Sequence, residues 1–182
     1  MNQQIKLELP NAISLYIKRE DLIHPFVSGN KFRKLKYNLL QAKAENHDTL
    51  LTFGGAFSNH IAAVAYAGQE QGFKTIGIIR GDELRDKISE NPTLTFAQNC
   101  GMQFEFVTRE QYRLKNDISF LEKLKENFSR FYHIPEGGTN ALAIKGCQEI
   151  LTEGDVDFDF VCCSIGTGGT ISGIIEELKV VI

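Results

Sequence analysis

The sequence predicts an α/β fold of open, mostly parallel sheets with flanking helices, because short apolar runs alternate with segments of helical periodicity. Such alternation is typical of parallel strands, which need a long crossover, most often a helix, to reach the next strand. Two glycine-rich turns, at 54–55 and 166–169, each follow an apolar run and precede a helical segment. The 182 residues, of which 42% are hydrophobic, are enough to form one sizeable core.

The predicted strands are short apolar runs. They cover 15–18, 49–53, 75–80, 103–107, 131–134 and 158–164. The predicted helices fill most of the gaps between these strands. They cover 30–44, 58–71, 92–99, 117–127, 140–152 and 170–178. The sequence shows no internal repeat, and no linker rich in proline, glycine or serine separates independent domains.

Apolar side chains recur at helical spacing in the first and last predicted helices. They are Leu35, Leu39 and Leu40 in the first, and Ile171, Ile174, Ile175 and Leu178 in the last. The helix at 58–71 begins at Ser58, which is a natural N-cap, and contains many small side chains that permit close packing. Because a crossover helix normally delivers another strand, a chain that stops after 170–178 predicts a sheet that is incomplete at the C-terminus.

Charge and composition argue against several classes of protein. With 20 Lys and Arg against 23 Asp and Glu, the net charge is -3, so there is no general basic field to hold nucleic acid or an anionic membrane. No apolar run is long enough to span a bilayer, and the N-terminal segment does not resemble a signal peptide. The four cysteines lack the paired spacing of a metal site. We therefore expect a small-molecule partner, a cytoplasmic location, and neither nucleic acid, membrane nor metal.

The segment SIGTGGTISG lies between an apolar run and a helix, and it contains Gly166, Thr167, Gly168, Gly169 and Thr170. Glycines let successive backbone N–H groups converge, and a helix N-terminus adds partial positive charge, so this turn predicts a phosphate cradle. A P-loop would end in Gly-Lys-Ser/Thr, and the Rossmann fingerprint would need glycine where Ile171 stands, so neither motif fits. A tight strand-to-helix turn without a ligand is the alternative.

The segment FGGAFSNH follows the strand at 49–53 and ends with Ser58, Asn59 and His60 at the start of a helix. Ser58 as a cap, and His60 as a buried side chain with a satisfied hydrogen bond, would explain this turn without any ligand. The turn therefore suggests a functional site only in combination with other motifs.

Lys31 follows Ser28, Gly29 and Asn30 and lies in the first turn of the helix at 30–44. Positive charge is disfavoured near a helix N-terminus, and burial or a nearby cation lowers the pKa of a lysine. A neutral amine of this kind is what Schiff-base formation requires. On these grounds alone, a solvated surface lysine is the alternative.

Five motifs occur in order along the chain: KRED, SGNKFRKLKY, GGAFSNH, IPEGGTNALAIKG and SIGTGGTISG. Together they resemble the 1-aminocyclopropane-1-carboxylate deaminase and D-cysteine desulfhydrase family of fold-type-II pyridoxal-phosphate enzymes, and the similarity runs along nearly the whole chain. The resemblance implies a tryptophan synthase β-like fold, pyridoxal 5′-phosphate as cofactor, and a homodimer. It also implies three regions: 1–48 in the large domain, 49–150 as a smaller α/β domain, and 151–182 as the start of the remaining large domain.

The resemblance also implies roles for the residues in these motifs. Lys31 would carry the cofactor, the loop 166–170 would hold its phosphate, and Asn59 would bind the hydroxyl oxygen of its ring. Ser58, Asn59 and His60 would receive the carboxylate of a substrate amino acid.

Two further matches have less certain roles. Lys34 matches a family lysine near the cofactor, although a solvated face of a basic helix explains it equally well. Glu136, Gly137 and Gly138 match a PEGG turn that would shape the wall of the cofactor pocket, and no catalytic role is expected for Glu136.

The implied reaction converts D-cysteine to pyruvate, sulfide and ammonia, or aminocyclopropane-carboxylate to 2-oxobutanoate and ammonia, with the freed Lys31 moving a proton. The alternatives are a truncated, catalytically impaired remnant that at most binds the cofactor, and another fold-type-II lyase or synthase. Phe57 stands where related sequences often have a polar residue, which predicts altered substrate choice. The partner of the pyridine nitrogen and the substrate-facing tyrosines are expected beyond residue 182.

Overall fold

The structure is a computed structural model that describes residues 1–181. Its strands are β1 (Asn2–Ile5), β2 (Leu15–Lys18), β3 (Thr49–Gly54), β4 (Lys74–Arg80), β5 (Gln103–Val107) and β6 (Tyr132–Ile134). Its helices are α1 (Asn30–Ala44), α2 (Asn59–Gln71), α3 (Pro92–Asn99), α4 (Arg109–Arg113), α5 (Ile118–Phe128), α6 (Ala141–Gln148) and α7 (Gly169–Val181). The predicted α/β class is confirmed.

A four-stranded parallel sheet with the order β5-β4-β3-β6 organises the chain. In its register Thr49 pairs with Lys74, and Leu50 pairs with Tyr132. All six residues of β3 are buried, because this strand has a neighbour on each side and helices over both faces. The carboxyl ends of the four strands meet at one edge, which we call the carboxyl edge.

Apolar side chains form a core on each face of this sheet. On one face, Leu35 of α1 and Ile61 and Val64 of α2 pack in a buried cluster that also includes Leu50 and Ile79. On the other face, the buried cluster is formed by Leu51, Phe53, Ile76, Ile78, Val107, Tyr112, Leu124 and Phe131. The alternation of Leu50 and Leu51 between the two faces is the period-two pattern of a strand. The sheet thus holds its carboxyl edge rigidly between two packed layers.

Helices α6 and α7 pack closely against each other, with Cys147, Ile150 and Ile174 in their shared core. Gly173 makes this approach possible, because a Cβ atom there would lie 2.5 Å from the Cβ of Cys147. Helix α1 also packs against α6. The N-termini of α1 and α7 are therefore brought to the same side of the molecule.

Most predicted elements are confirmed, and their bounds differ by a few residues. Two elements were not predicted from the sequence. They are β1, which pairs antiparallel with β2, and the short helix α4. The helix predicted at 140–152 ends at Gln148 and is followed by a turn of 3₁₀ helix at Glu153–Asp155.

The strand predicted at 158–164 is wrong, because this segment has no regular secondary structure. Its side chains include Phe160, which is 88% exposed, and Val161, which is 39% exposed. A strand requires a neighbour that takes up its backbone hydrogen bonds, and no segment within residues 1–181 supplies one here. Apolar content alone was therefore a misleading signal.

Among residues 1–181, none of the helices combines the length and the apolar character that crossing a bilayer requires.

Candidate active site at the carboxyl edge

Four of the sequence motifs meet at the carboxyl edge. Lys31, in the first turn of α1, places its Nζ atom 3.3 Å from the carbonyl oxygen of Gly137, in the turn after β6. The same turn contacts the glycine-rich loop, because a Cβ atom on Gly137 would lie 2.8 Å from Cγ2 of Thr167. A Cβ atom on Gly138 would lie 3.2 Å from the imidazole of His60 at the start of α2. Elements far apart in sequence thus converge on one small region.

Lys31 is half-buried, and its electrostatic surroundings favour the neutral amine. Burial and, as the smaller cause, the charge of nearby Lys34 together lower its pKa from 10.5 to about 8. Its amine has one hydrogen-bond acceptor on the described residues, the carbonyl of Gly137. About a tenth of Lys31 is therefore deprotonated at pH 7, far more than for an unperturbed lysine, and this neutral amine is the nucleophilic form.

Lys34 is only 2% exposed, so its interpretation as part of a solvated basic face is wrong. Its Nζ atom donates to the carbonyl oxygen of Gly137 at 3.2 Å and to the hydroxyl oxygens of Thr139 at 3.0 Å and Thr167 at 3.2 Å. Three acceptors match the three N–H donors of an ammonium group. Although burial lowers the pKa of Lys34, these contacts stabilise its charged form.

The glycine-rich loop 166–170 leads into α7 and lies directly beside Lys34. A Cβ atom on Gly169 would lie 3.2 Å from the Nζ of Lys34 and 2.9 Å from Cγ2 of Thr139, whereas Gly166 and Gly168 face open space. Within the described chain, the backbone N–H groups of Gly166, Thr167 and Gly168 have no protein acceptor. Free N–H groups at a helix N-terminus beside a buried cation form a site that suits an anion.

Two side-chain hydrogen bonds hold the loop against the rest of the site. The side chain of Asn30 donates to Oγ1 of Thr170 at 2.9 Å, which ties the first residue of α1 to the first turn of α7. The hydroxyl groups of Thr139 and Thr167 are 2.5 Å apart. Lys31, at the start of α1, therefore has a fixed position relative to the loop.

The start of α2 forms a second region with free backbone donors. Ser58 is the N-cap, as predicted, and its Oγ atom accepts from the backbone N–H of Ile61 at 3.4 Å. The N–H groups of Asn59 and His60 have no acceptor among the described residues, and the side chain of Asn59 is exposed. The beginning of α2 can therefore receive an anionic group.

The imidazole of His60 points into the protein and is 2% exposed. Its Nε2 atom lies 2.8 Å from Oγ1 of Thr52, and Thr52 donates its own hydroxyl hydrogen to the carbonyl oxygen of Ile134 at 2.8 Å. Nε2 of His60 must therefore be the donor, which leaves Nδ1 as a buried acceptor without a protein partner. Burial, then the charges of Lys31 and Lys34, lower the pKa of His60 from 6.5 to about 3, so the ring is neutral.

The carboxylate of Glu136 is paired with Tyr112 and Lys115 and makes no hydrogen bond or ion pair with Lys31 or Lys34 among the described residues. It accepts a hydrogen bond of 2.7 Å from the hydroxyl of Tyr112 and lies 3.5 Å from the Nζ of Lys115. Tyr112 is 3% exposed, and it lies in α4 outside every motif of the sequence analysis. No motif included Tyr112. Thr139 lies within the motif IPEGGTNALAIKG, but no role was predicted for it.

Phe57 is 76% exposed beside the start of α2. The guanidinium of Arg80 lies 3.6 Å from the position of a Cβ atom on Gly55, in the turn that leads to α2.

The sequence and the fold match those of known proteins. Residues 4–180 match the family described as pyridoxal-phosphate dependent enzymes. The chain is 34% identical over 170 residues to a putative 1-aminocyclopropane-1-carboxylate deaminase of Thermotoga maritima, covering 90% of this chain and 53% of that protein. It is 33% identical over 185 residues to the mitochondrial bifunctional D-cysteine desulfhydrase and 1-aminocyclopropane-1-carboxylate deaminase of Arabidopsis thaliana, covering 91% of this chain and 45% of that protein.

A solved structure shares the fold. The crystal structure of an aminocyclopropane-carboxylate deaminase homologue superposes with a TM-score of 0.79 at 26% identity, covering all of this chain and 56% of the other. The match over residues 4–180 shows that the chain belongs to the family of pyridoxal-phosphate dependent enzymes, and the superposition shows the fold-type-II architecture. Within that family, the relatives that it matches are named as aminocyclopropane-carboxylate deaminases and D-cysteine desulfhydrases. It spans about half the length of these relatives.

Proposed function

We propose that this chain forms the cofactor-bearing part of a pyridoxal-phosphate dependent deaminase or desulfhydrase that acts on a small amino acid. The observation that carries this proposal is the half-buried Lys31, whose pKa is lowered to about 8 next to a buried cation and a glycine-rich turn. The family match supplies the cofactor, and the names of the relatives supply the two candidate substrates.

The residues at the carboxyl edge fit pyridoxal phosphate. Lys31 offers a partly neutral amine for the aldehyde of the cofactor. The free N–H groups of the loop 166–168 offer donors for its phosphate, and the nearby ammonium of Lys34 adds positive charge. The open space beside Gly166 and Gly168 leaves room for the phosphate oxygens. When bound, the cofactor supplies an electron sink for the bonds at Cα of a substrate.

The start of α2 fits the carboxylate of an amino acid. Its uncommitted donors are the backbone N–H groups of Asn59 and His60 and the amide of Asn59, and the side chain of Ser58 lies next to them. We assign Ser58, Asn59 and His60 to carboxylate binding, with His60 contributing its backbone because its ring is buried against Thr52. In the same proposal, the amide of Asn59 donates to the hydroxyl oxygen of the cofactor ring.

Lys31 is the proton carrier in this proposal. Its amine is neutral in part near pH 7, so it can take a proton from Cα and return it to another atom of the substrate. The neutral ring of His60 and the charged Lys34 do not compete for that proton, because the pKa of His60 is about 3 and Lys34 already has three acceptors. D-Cysteine would then yield pyruvate, sulfide and ammonia, and aminocyclopropane-carboxylate would yield 2-oxobutanoate and ammonia.

A second candidate is a chain that binds the cofactor without turnover. The observation that favours it is the segment 158–164, which pairs with no strand within residues 1–181 and exposes Phe160. A third candidate is another fold-type-II lyase or synthase, because such enzymes share the cofactor and the cofactor lysine.

We also retain three broader proposals about the assembled protein. The regions 1–48 and 151–182 belong to a large domain and 49–150 to a smaller one. The protein is a homodimer located in the cytoplasm. Sedimentation analysis of the purified protein tests the dimer, and cell fractionation tests the location.

Product release from the two candidate substrates tests the proposed function. The purified chain with pyridoxal phosphate is mixed with D-cysteine or with aminocyclopropane-carboxylate, and sulfide, keto acid and ammonia are measured. We expect release with at least one substrate, and none from the Lys31→Ala variant. Lys36→Ala is the matched control, because Lys36 lies on the same helix but is paired with Glu149 at 2.6 Å. Cofactor attachment at Lys31 without any product would support the second candidate instead.

A further inference from the structure

The turn after β6 links the sheet to both lysines of the site. It consists of Glu136, Gly137 and Gly138, and its carboxylate end is fixed by Tyr112 and Lys115, at 2.7 and 3.5 Å. Tyr112 is itself packed in the core beneath the sheet. The turn is therefore attached to a rigid part of the molecule through one side chain, that of Glu136.

The carbonyl oxygen of Gly137, in the middle of this turn, accepts from two amines. Nζ of Lys31 lies 3.3 Å away and Nζ of Lys34 lies 3.2 Å away. On the described part of the chain, these are the only two lysines in the proposed cofactor site. The proposed function requires the amine of Lys31 to be neutral and that of Lys34 to be charged. The position of a single carbonyl therefore affects both.

The contacts around the turn allow it little freedom to move. Gly137 has a φ of 68°, in the left-handed region that favours glycine. A Cβ atom there would lie 2.8 Å from Thr167 of the glycine-rich loop, so the backbone of the turn packs directly on that loop. A shift at Glu136 would thus be transmitted to the Gly137 carbonyl.

We propose that Glu136 is a positioning residue: its hydrogen bond to Tyr112 holds the Gly137 carbonyl where it keeps Lys34 charged and Lys31 as the reactive amine. Lys34 has three acceptors, one of which is this carbonyl, whereas Lys31 has this carbonyl alone. If the carbonyl moves, Lys34 loses one of the three contacts that stabilise its ammonium form, and Lys31 loses the one hydrogen bond that orients its amine. Lys34 then competes with Lys31 for the cofactor aldehyde. The inference rests on the proposed role of Lys31.

The ratio of cofactor attachment at the two lysines tests this inference directly. Either amine can attack the aldehyde carbon of pyridoxal phosphate with loss of one water, and borohydride then adds hydride to that carbon and leaves a stable secondary amine. Trypsin cleaves after Arg33, which lies between Lys31 and Lys34, so the two adducts fall in different peptides. The ratio is internal to one sample and does not follow global stability.

We expect the adduct to concentrate on Lys31 in the unaltered protein. In Glu136→Ala and in Tyr112→Phe, the ratio of Lys31 to Lys34 adduct should fall by about fivefold, the effect of losing roughly one hydrogen bond. Glu136→Gln should retain most of the ratio, because its amide oxygen can still accept from Tyr112. Circular dichroism identifies any variant that fails to fold. The adduct ratio is then compared among the variants that do fold.

Tyr37→Phe is a matched control for the loss of a tyrosine–glutamate hydrogen bond. The hydroxyl of Tyr37 donates to Glu149 at 2.6 Å and makes no contact with the turn. The ratio of Lys31 to Lys34 adduct in Tyr37→Phe should equal that in the unaltered protein. An unchanged ratio in folded Glu136→Ala and Tyr112→Phe would overturn the positioning role alone. Absence of any adduct at Lys31 in the unaltered protein would overturn the proposed function and, with it, this inference.

Discussion

Lys31 and Lys34 direct their amines at the same carbonyl oxygen, that of Gly137, at 3.3 and 3.2 Å. The two side chains differ in their remaining contacts, since Lys34 also reaches the hydroxyl groups of Thr139 and Thr167. This difference separates a buried cation from a reactive amine one helical turn away.

Replacing Lys34 by methionine should raise the pKa of Lys31, because the charge of Lys34 contributes to lowering it. Burial is the larger cause and persists in the variant, so the pKa should rise only part of the way from about 8 towards 10.5. The rate of cofactor attachment measured against pH should have its midpoint at a higher pH. Lys36→Met, on an exposed part of the same helix, should leave the midpoint unchanged. An unshifted midpoint in Lys34→Met would show that the two amines are not coupled.

Gly169→Ala should disturb the phosphate cradle. The added Cβ would lie 2.9 Å from Cγ2 of Thr139 and 3.2 Å from Nζ of Lys34, so these groups must move, at a cost of about 1–3 kcal/mol. Gly154→Ala, in the exposed 3₁₀ turn Glu153–Asp155 outside the loop, is the control, because the nearest atom to its added Cβ is Oγ1 of Thr152 at 3.8 Å, an ordinary contact. Thermal unfolding and equilibrium dialysis with pyridoxal phosphate measure the two effects. Equal behaviour of the two variants would contradict the close packing at Gly169.

His60 should make the protein sensitive to acid. Its pKa is lowered from 6.5 to about 3, so between these values the unfolded chain binds a proton that the folded chain excludes. Its contribution to stability is therefore complete above pH 6.5 and is lost as the pH falls towards 3, by about 1.4 kcal/mol per pH unit. Urea unfolding of the unaltered protein and of His60→Gln at several pH values measures this. A variant with the same slope between pH 6 and 4 would be evidence against a buried neutral imidazole.

Lys31→Met should stabilise the protein in the absence of cofactor. Burial disfavours the charged form of this lysine and lowers its pKa to about 8; at pH 7 the amine is mostly protonated in both the folded and the unfolded chain, so most of this desolvation cost is present. Allowing for its partial exposure, we expect a gain of about 1–2 kcal/mol in the free energy of unfolding at pH 7. The gain should shrink as the pH rises from 8 to 10.5, where the unfolded lysine also loses its proton. A destabilised variant at pH 7 would imply that Lys31 is stabilised by contacts other than those described.

The sheet and most helices could be predicted because their signals are local. Apolar runs such as 49–53 and the N-cap at Ser58 need no knowledge of distant residues. The strand predicted at 158–164 failed for the opposite reason, since pairing depends on a neighbour that local composition does not reveal.

The same limit applies to the candidate site. The motifs predicted that Lys31 and the glycine-rich loop belong to the site. The burial of Lys34 could not be predicted in this way, because it depends on Gly137 and Thr167, which lie 103 and 133 residues further along the chain. The contact between Tyr112 and Glu136 joins a helix without a motif to the PEGG turn. Burial and pairing of this kind arise from tertiary packing, so neither could be predicted from spacing.

The most direct test of the central claim locates the cofactor lysine. The purified chain is mixed with pyridoxal phosphate, reduced with borohydride, digested with trypsin and mapped by peptide mass. We predict one dominant phosphopyridoxyl adduct, in the peptide that ends at Arg33 and contains Lys31. Folded protein with no adduct, or with adducts spread over exposed lysines such as Lys74 and Lys123, would contradict the account.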